Sequence, residues 1–200
     1  MDKTNRKKPT LRVIGGIRKG SKLLMPEHHS IRPTKDRIKE CLFNILTHHY
    51  HQHWNDLVVG DFFAGSGNLG IEALSRGAFQ CFFMEHNELA FSCIKKNIQR
   101  LSFGAQSVII NQNFYDSFLF PKPLDVIFCD PPYATYSIKK IMESLKRMKT
   151  LKNNTLLCLE DFYPYPFDEV QHFADDHISA SLLDQRVFNK TGIYIYGFSC

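Results

Sequence analysis

Two hundred residues, 44% hydrophobic and 22% charged, are enough for one domain with a sizeable core and carry no low-complexity run or internal repeat. No apolar run approaches the roughly 20 residues that cross a bilayer, and the N-terminal MDKTNRKKPT lacks the apolar region of a secretory signal, so a soluble cytoplasmic protein is expected. The net charge of +5 is uneven: residues 1–39 hold twelve Lys/Arg against three Asp/Glu, and residues 40–200 hold thirteen against seventeen. A basic arm on a mildly acidic body suits contact with a polyanion, although a solvated tail would have the same composition.

Taken in chain order, LRVIGG and SKLLMP read as two short β runs separated by Gly15, Gly16 and Gly20, a small basic hairpin. RPTKDRIKECLFNIL follows as a helix starting near Thr34, which can cap its first turn, with Ile38, Cys41, Leu42, Ile45 and Leu46 at helical spacing. HHYHQH (48–53) invites a metal reading. It contains no acid or cysteine partner, and a structural site needs a closed ligand set, so a polar loop and no metal are expected. The six cysteines, Cys41, Cys81, Cys93, Cys129, Cys158 and Cys200, form no C-x-x-C pair. They suit reduced, buried thiols, and Cys129 suits a small core residue better than a nucleophile.

From residue 57 the pattern alternates. LVVGDFF (57–63), FQCFFME (79–85), SVII (107–110), LDVIFCD (124–130) and TLLCLE (155–160) read as strands. LGIEALSRG, ELAFSCIKKNIQRL and TYSIKKIMESLKRM read as helices between them. Strands that are apolar without alternation are buried on both faces, as in a parallel sheet with helical crossovers. QRVFNKTGIYIYGF closes the chain as an antiparallel hairpin around residues 189–192. The expected fold is α/β: a Rossmann-like sandwich with a mostly parallel sheet, a C-terminal antiparallel hairpin and a small N-terminal basic hairpin plus helix. Residues 1–33 form the arm and 34–200 the domain.

DFFAGSGNLG (61–70) follows the first strand and opens a helix. Gly65 and Gly67 allow a sharp turn that brings backbone N–H groups to a ligand, where such sheets bind nucleotides. The loop lacks a P-loop lysine, which argues against nucleotide triphosphate hydrolysis. Glu85 ends the second strand 18 residues after Gly67, near the spacing of a ribose-binding acid; a solvated strand-end carboxylate is the alternative. Asn113 and Asp116 follow the third strand, where an adenine edge could be held. Both also suit a turn, which is the preferred reading for Asp116.

FCDPPYATY (128–136) places Asp130 at the carboxyl end of the fourth strand. Pro131 and Pro132 stiffen the chain, so the Pro131 carbonyl can point into the crevice beside the Asp130 carboxylate. Two acceptors aimed at one point suit a planar NH2 group and favour a more pyramidal nitrogen, and Tyr133 offers a stacking face. A rigid turn with Asp130 as a cap and Tyr133 in the core is the structural alternative. DFYPYPF (161–167), also near this edge, fits a substrate wall or a packed loop.

With D-P-P-Y in place, the chain resembles class I S-adenosylmethionine-dependent amino-methyltransferases. RVIGGIRKGSKLLMPEHHSIRPTKDRIKECLFNIL followed by DFFAGSGNLGIEALSRGA closely resembles the bacterial family that methylates a guanine N2 in small-subunit (16S) ribosomal RNA, over roughly residues 11–135 and weakly in the closing hairpin. The resemblance implies S-adenosylmethionine as cofactor, with Asp61, Ala64, Gly65 and Gly67 on its methionine and ribose side. Glu85 and His86 would meet the ribose hydroxyls, Asn113 the adenine, and Asp130, Pro131 and Tyr133 would form the amine site. Arg32, Pro33, Thr34 and Arg37 match an R-P-T-x-x-R run that closes over the active site or touches RNA. Arg12, Arg18, Lys19, Lys22 and Pro132 are the other expected RNA contacts. Asn113 stands where related enzymes often carry aspartate, and Asn68 looks family-variable.

The implied partner is 16S ribosomal RNA in a small subunit or assembly intermediate, met by a monomer without metal or membrane. Rival readings are a DNA adenine or cytosine amino-methyltransferase, which usually needs a larger recognition region, and a protein glutamine methyltransferase, which typically has asparagine before the prolines. A nicotinamide-dependent dehydrogenase would leave D-P-P-Y without a purpose. A non-catalytic RNA-binding module is disfavoured by the intact set of Gly65, Gly67, Glu85, Asp130 and Tyr133.

Overall fold

The structure, a computed structural model, describes residues 11–26, 36–49, 54–116, 118–131, 138–162, 172–174 and 178–200. Its strands are β1 (Val58–Phe62), β2 (Gln80–Glu85), β3 (Ser107–Asn111), β4 (Val126–Cys129), β5 (Leu156–Phe162), β6 (His172–Ala174), β7 (Ser179–Phe188) and β8 (Thr191–Ser199). The helices are α1 (Asp36–His49), α2 (Asn68–Ser75), α3 (Glu88–Leu101) and α4 (Ile138–Arg147). The strands form one eight-stranded sheet in the order β3-β2-β1-β4-β5-β8-β7-β6. Pairing is parallel from β3 to β5 and antiparallel beyond it. The order reverses at β1, between β2 and β4, which opens a crevice at the carboxyl ends of β1 and β4.

The continuous apolar runs have the expected cause. Every residue of β1 and β4 is buried, because helices cover both faces of the sheet. One face packs Val59, Phe83, Phe128 and Cys158 against α1, α2, α3 and the arm residues Leu11, Val13 and Leu23. The other packs Phe62, Met84, Ile127 and Leu159 against α4 and the aromatics Phe114 and Phe120. Within β1, β2, β4 and β5, successive residues alternate between these two clusters.

Three elements differ from the sequence expectation. β3 lies at the sheet edge and is only partly buried, so SVII is not a doubly covered strand. β7 begins at Ser179, earlier than QRVF, and β6 pairs with it. Neither was predicted, because β7 is half exposed and its register shifts between Leu182 and Asp184, which destroys the period-2 signal. The closing turn is shorter than expected. Phe188 pairs with Thr191, so only Asn189 and Lys190 form the loop, with Asn189 at φ 58°. α1 is described from Asp36, and Thr34 lies outside the described residues.

The basic hairpin is present as a bridge between Arg12 and Lys22. The Val13 N–H donates to Ser21 O at 2.9 Å, and the Leu23 N–H to Leu11 O at 2.9 Å. Its turn presses on the end of α2: a Cβ on Gly16, at φ +71°, would stand 1.8 Å from the Ser75 carbonyl oxygen, whereas one on Gly20, at φ +87°, would meet nothing within 4 Å. Gly16→Ala should therefore cost about 2 kcal/mol or more and Gly20→Ala about 1 kcal/mol, the difference being the clash. Denaturation midpoints of the two variants measure it; equal losses would show that the arm does not hold this contact.

Candidate active site

The glycine loop is built by β1, α2 and two acids. Gly65 and Gly67 both adopt positive φ, 58° and 78°. Their N–H groups do not point outward as the sequence reading supposed. The Gly65 N–H donates to Glu85 Oε2 at 2.9 Å and the Gly67 N–H to Ala64 O at 2.7 Å. The loop is thus a preformed turn locked to β2, and the Ala64 N–H adds a bond to Met84 O at 3.2 Å.

Glu85 is buried and held from two sides, because its Oε1 also accepts the Asn87 N–H at 2.8 Å. A carboxylate has about four lone-pair positions, so both oxygens retain capacity for hydroxyl donors. That orientation excludes a freely solvated strand-end acid. His86 is exposed, its Nδ1 3.5 Å from Glu85 Oε1. Asp61 is 3% exposed and accepts the Gly70 N–H at 2.8 Å, so it caps α2 from the neighbouring strand where Gly67 offers no side chain. Burial pushes the Asp61 carboxyl up to about 8; the Gly70 hydrogen bond opposes the rise and the Glu85 charge adds to it.

Asp130 follows β4 beside buried Pro131. Its carboxyl is pushed well above the ordinary 3.8 by burial first, then by the carboxylates of Glu160, Asp61 and Asp161. Glu160 and Asp161, both 8% exposed, come from the end of β5; Asp161 opens the aromatic stretch placed near this edge, whereas Glu160 had no expected role here. Only strand pairing could have revealed the approach of Glu160 to Asp130, since β5 lies far from β4 in the chain. Cys129 is buried in the α4-side core and its thiol is pushed well up by burial, as suits a packing residue. Cys81, Cys93 and Cys158 are likewise free and buried, whereas Cys41 is half-buried and Cys200 exposed. Pro132, Tyr133, Arg32 and Pro33 lie outside the described residues, as does 163–167 of the aromatic stretch.

Asn113 closes a local turn: its Oδ1 accepts the Tyr115 N–H at 3.0 Å, and its carbonyl accepts the Asp116 N–H at 3.1 Å. Its Oδ1 thus takes part in the turn that the sequence allows at this position. In the arm, Lys19 and Lys22 are exposed, and Arg37 is exposed on α1. Arg12 is exposed but paired with Asp36 at 2.7 Å. Arg18 has a structural task, donating from Nε to the Leu101 carbonyl at the end of α3 at 2.9 Å. Among the described residues, no group of three or more His, Cys, Asp or Glu is arranged to hold a metal ion, and no helix is long and apolar enough to cross a membrane.

Two fully buried polar side chains tie the arm to the glycine loop, and nothing in their local sequence announces it. Lys39 Nζ donates to Arg12 O at 2.7 Å and to Asn68 Oδ1 at 2.8 Å. Asn97 Nδ2 donates to Leu24 O and Ser66 O at 3.0 Å each, while its Oδ1 accepts the Leu24 N–H at 2.8 Å. Asn68, which looks variable in the sequence, is thus one of the residues that holds the loop.

The chain and its fold are similar to those of known proteins. The family model described as Conserved hypothetical protein 95 matches residues 11–196. The ribosomal RNA small subunit methyltransferase D of Haemophilus influenzae is 38% identical over 157 residues, covering 76% of this chain and 79% of that one. Its namesake in Escherichia coli K12 is 35% identical over 152 residues, covering 75% and 74%. The chain belongs to the ribosomal RNA small subunit methyltransferase D family. A solved Escherichia coli chain assigned as a methyltransferase superposes with a TM-score of 0.76 at 28% identity, over 96% of this chain and 99% of that one. A Haemophilus influenzae chain assigned as a methylase gives 0.74 at 29%, over 94% and 98%. The fold is the Rossmann-like class I methyltransferase fold, and the protein is a methyltransferase.

Proposed function

We propose that this methyltransferase moves a methyl group from S-adenosylmethionine to the exocyclic N2 of a guanine in small-subunit ribosomal RNA. The observation that carries the reading is the half-buried Asp130 beside buried Pro131, one strand from the locked glycine loop. The family's named members act on small-subunit ribosomal RNA, and the exposed Lys19, Lys22 and Arg37, with residues 1–33 as the RNA-facing arm, suit a phosphate backbone.

The residues fit the cofactor chemically. S-adenosylmethionine supplies a sulfonium methyl and carries an ammonium group, and the buried carboxylates of Asp61 and Glu85 with half-buried Asp130 suit a ligand with those charges. Glu85 would accept the ribose hydroxyls, and Asp61, Ala64 and Gly65 would line the methionine end. Asp130 and the Pro131 carbonyl would accept the two N2 hydrogens of an unstacked guanine resting on Tyr133. Held in this way by Asp130 and Pro131, the N2 lone pair would be oriented toward the methyl group that the bound cofactor would supply. Asp130, with its raised proton affinity, would take the proton that N2 sheds afterwards. Positioning and electrostatics supply the acceleration.

The pH dependence of cofactor binding tests the donor site. A cationic ligand prefers ionised Asp61, so below about pH 8 part of the binding energy goes to removing its proton. Affinity for S-adenosylmethionine should rise as pH increases from 6 to 8 and level off above it, with proton release visible by calorimetry in buffers of different ionisation enthalpy. Asp61→Asn keeps an oxygen for the Gly70 N–H and should flatten the profile. An unchanged slope in that variant would remove Asp61 from the donor site.

The reaction itself is tested by transfer from labelled S-adenosylmethionine to unmodified small ribosomal subunits, followed by nucleoside analysis. Label in N2-methylguanosine is expected. Label in another base would discard the guanine assignment, and absence of label despite cofactor binding would discard the RNA substrate.

A further inference from the structure

The proposed amine site explains how an NH2 group is held but not why the base should be guanine, since adenine and cytosine also carry such a group. Strand register supplies a candidate for that choice. Cys129, the last residue of β4, pairs with Leu159 of β5, so Asp130 leaves β4 in step with Glu160 of β5, adjacent strands lying about 4.8 Å apart. In β4, Val126 and Phe128 face the α1–α3 layer while Ile127 and Cys129 face α4; in β5, Leu156 and Cys158 face the first layer and Leu157 and Leu159 the second. Continued alternation puts Asp130 and Glu160 on the same face, with Asp161 on the other. Glu160 is 8% exposed, and among the neighbouring charges it ranks first in raising the proton affinity of Asp130.

Two carboxylates side by side favour a ligand edge that presents adjacent hydrogen-bond donors. Guanine has such an edge. Its N1–H lies beside its N2 amine, giving a continuous row of donors along the base-pairing edge. Adenine and cytosine instead place an unprotonated ring nitrogen, an acceptor, next to the amine. A carboxylate is acceptor-only when ionised, so it would bond the guanine edge and repel the other two. If Asp130 and Pro131 take the N2 hydrogens, an acceptor on the adjacent strand is the group placed to meet N1–H.

We propose that Glu160 accepts the N1–H of the target guanine and so selects guanine over the other amine-bearing bases. The inference rests on the guanine-N2 reading above and adds a specificity residue to it.

The experiment compares two small-subunit substrates, differing only at the guanine that the wild-type enzyme labels. In one, the RNA is ligated from a synthetic segment that carries 2-aminopurine at that position, which keeps the N2 amine but lacks N1–H. Wild type should favour guanine by about 10²-fold or more, because 2-aminopurine leaves a buried carboxylate facing an acceptor. Glu160→Gln offers an amide N–H to the bare N1 of 2-aminopurine, so the preference should fall by about tenfold or more. Glu160→Ala should weaken the preference without favouring the analogue.

Because each ratio is measured within one protein, loss of folded enzyme cancels, and a merely structural Glu160 would leave the ratio unchanged. Equal transfer to both bases by wild type, or an unaltered ratio in Glu160→Gln, overturns the inference while the guanine-N2 reading stands. Absence of N2-methylguanosine from wild-type reactions overturns both.

Discussion

Asp130→Asn should lower methyl transfer by about 10²–10³-fold while raising the melting temperature of the ligand-free protein. The two effects share one cause. Burial and the carboxylates of Glu160, Asp61 and Asp161 lift the Asp130 carboxyl well above its ordinary 3.8. An acid with a raised folded-state value contributes stability that is fully present below the unfolded value and is lost as pH climbs through the folded one. At neutral pH and above, holding Asp130 ionised therefore strains the fold. Asparagine has no proton to lose, so the stability difference between variant and wild type should widen from about pH 4 upward. Asparagine also keeps one oxygen acceptor but presents an amide that clashes with an amine donor. Melting curves across pH, with turnover measured at saturating cofactor, test both parts. Near-normal transfer by Asp130→Asn would remove the carboxylate from the amine site, and a lower melting temperature would make it a structural residue instead.

Glu72→Ala should destabilise the protein by about 3–5 kcal/mol, the cost of stranding a buried charge. Glu72 and Lys39 have no exposed side-chain surface, and Lys39 Nζ lies 3.2 Å from Glu72 Oε2. The same oxygen accepts the Ile14 N–H at 2.8 Å, while Oε1 accepts from Arg76 Nε at 2.9 Å. Arg76 in turn lies over the Phe43 ring at 4.8 Å. Removing the carboxylate leaves the buried Lys39 charge without its counterion and the Ile14 N–H without its acceptor. Burial already depresses the Lys39 ammonium despite the pull of Glu72, so the charge has no reserve of solvation. Lys39→Met combined with Glu72→Leu should recover part of the loss, because two apolar groups need no partner. Chemical denaturation would read both as midpoint shifts at unchanged slope. A loss below about 1 kcal/mol for Glu72→Ala would mean that water reaches the network. Since Lys39 also bonds Arg12 and Asn68, the variant should loosen the arm and the glycine loop together.

Much of the molecule can be read from one dimension because its cause is local. β1, β2, β4 and β5 are recognisable as uninterrupted apolar runs, since burial on both faces demands apolar residues at every position. α3 announces itself as a helical segment, and the structure adds its cap, Asn87, whose Oδ1 accepts the Leu89 and Ala90 N–H groups. The glycine loop, Glu85 and Asp130 stand at strand ends that the pattern locates unaided. By contrast, the inward turn of the Gly65 and Gly67 N–H groups, the capping of α3 by Arg18, the burial of Lys39 and the approach of Glu160 to Asp130 have no local signal. A lysine in a helix looks solvated until the arm packs over it, and a glutamate at the end of β5 meets Asp130 only when β4 and β5 pair in register.

The sequence alone thus determined the class of fold, the order of its parallel strands and helices along the chain, and the residue types at the crevice. Backbone propensity and hydrophobic period act over a few residues, and these features depend on nothing further. Tertiary structure decided which carboxylates share a face, which cations are spent on structure and how the arm grips the loop. Those outcomes depend on strand register and on the desolvation of charges by residues distant in sequence, which no local pattern encodes.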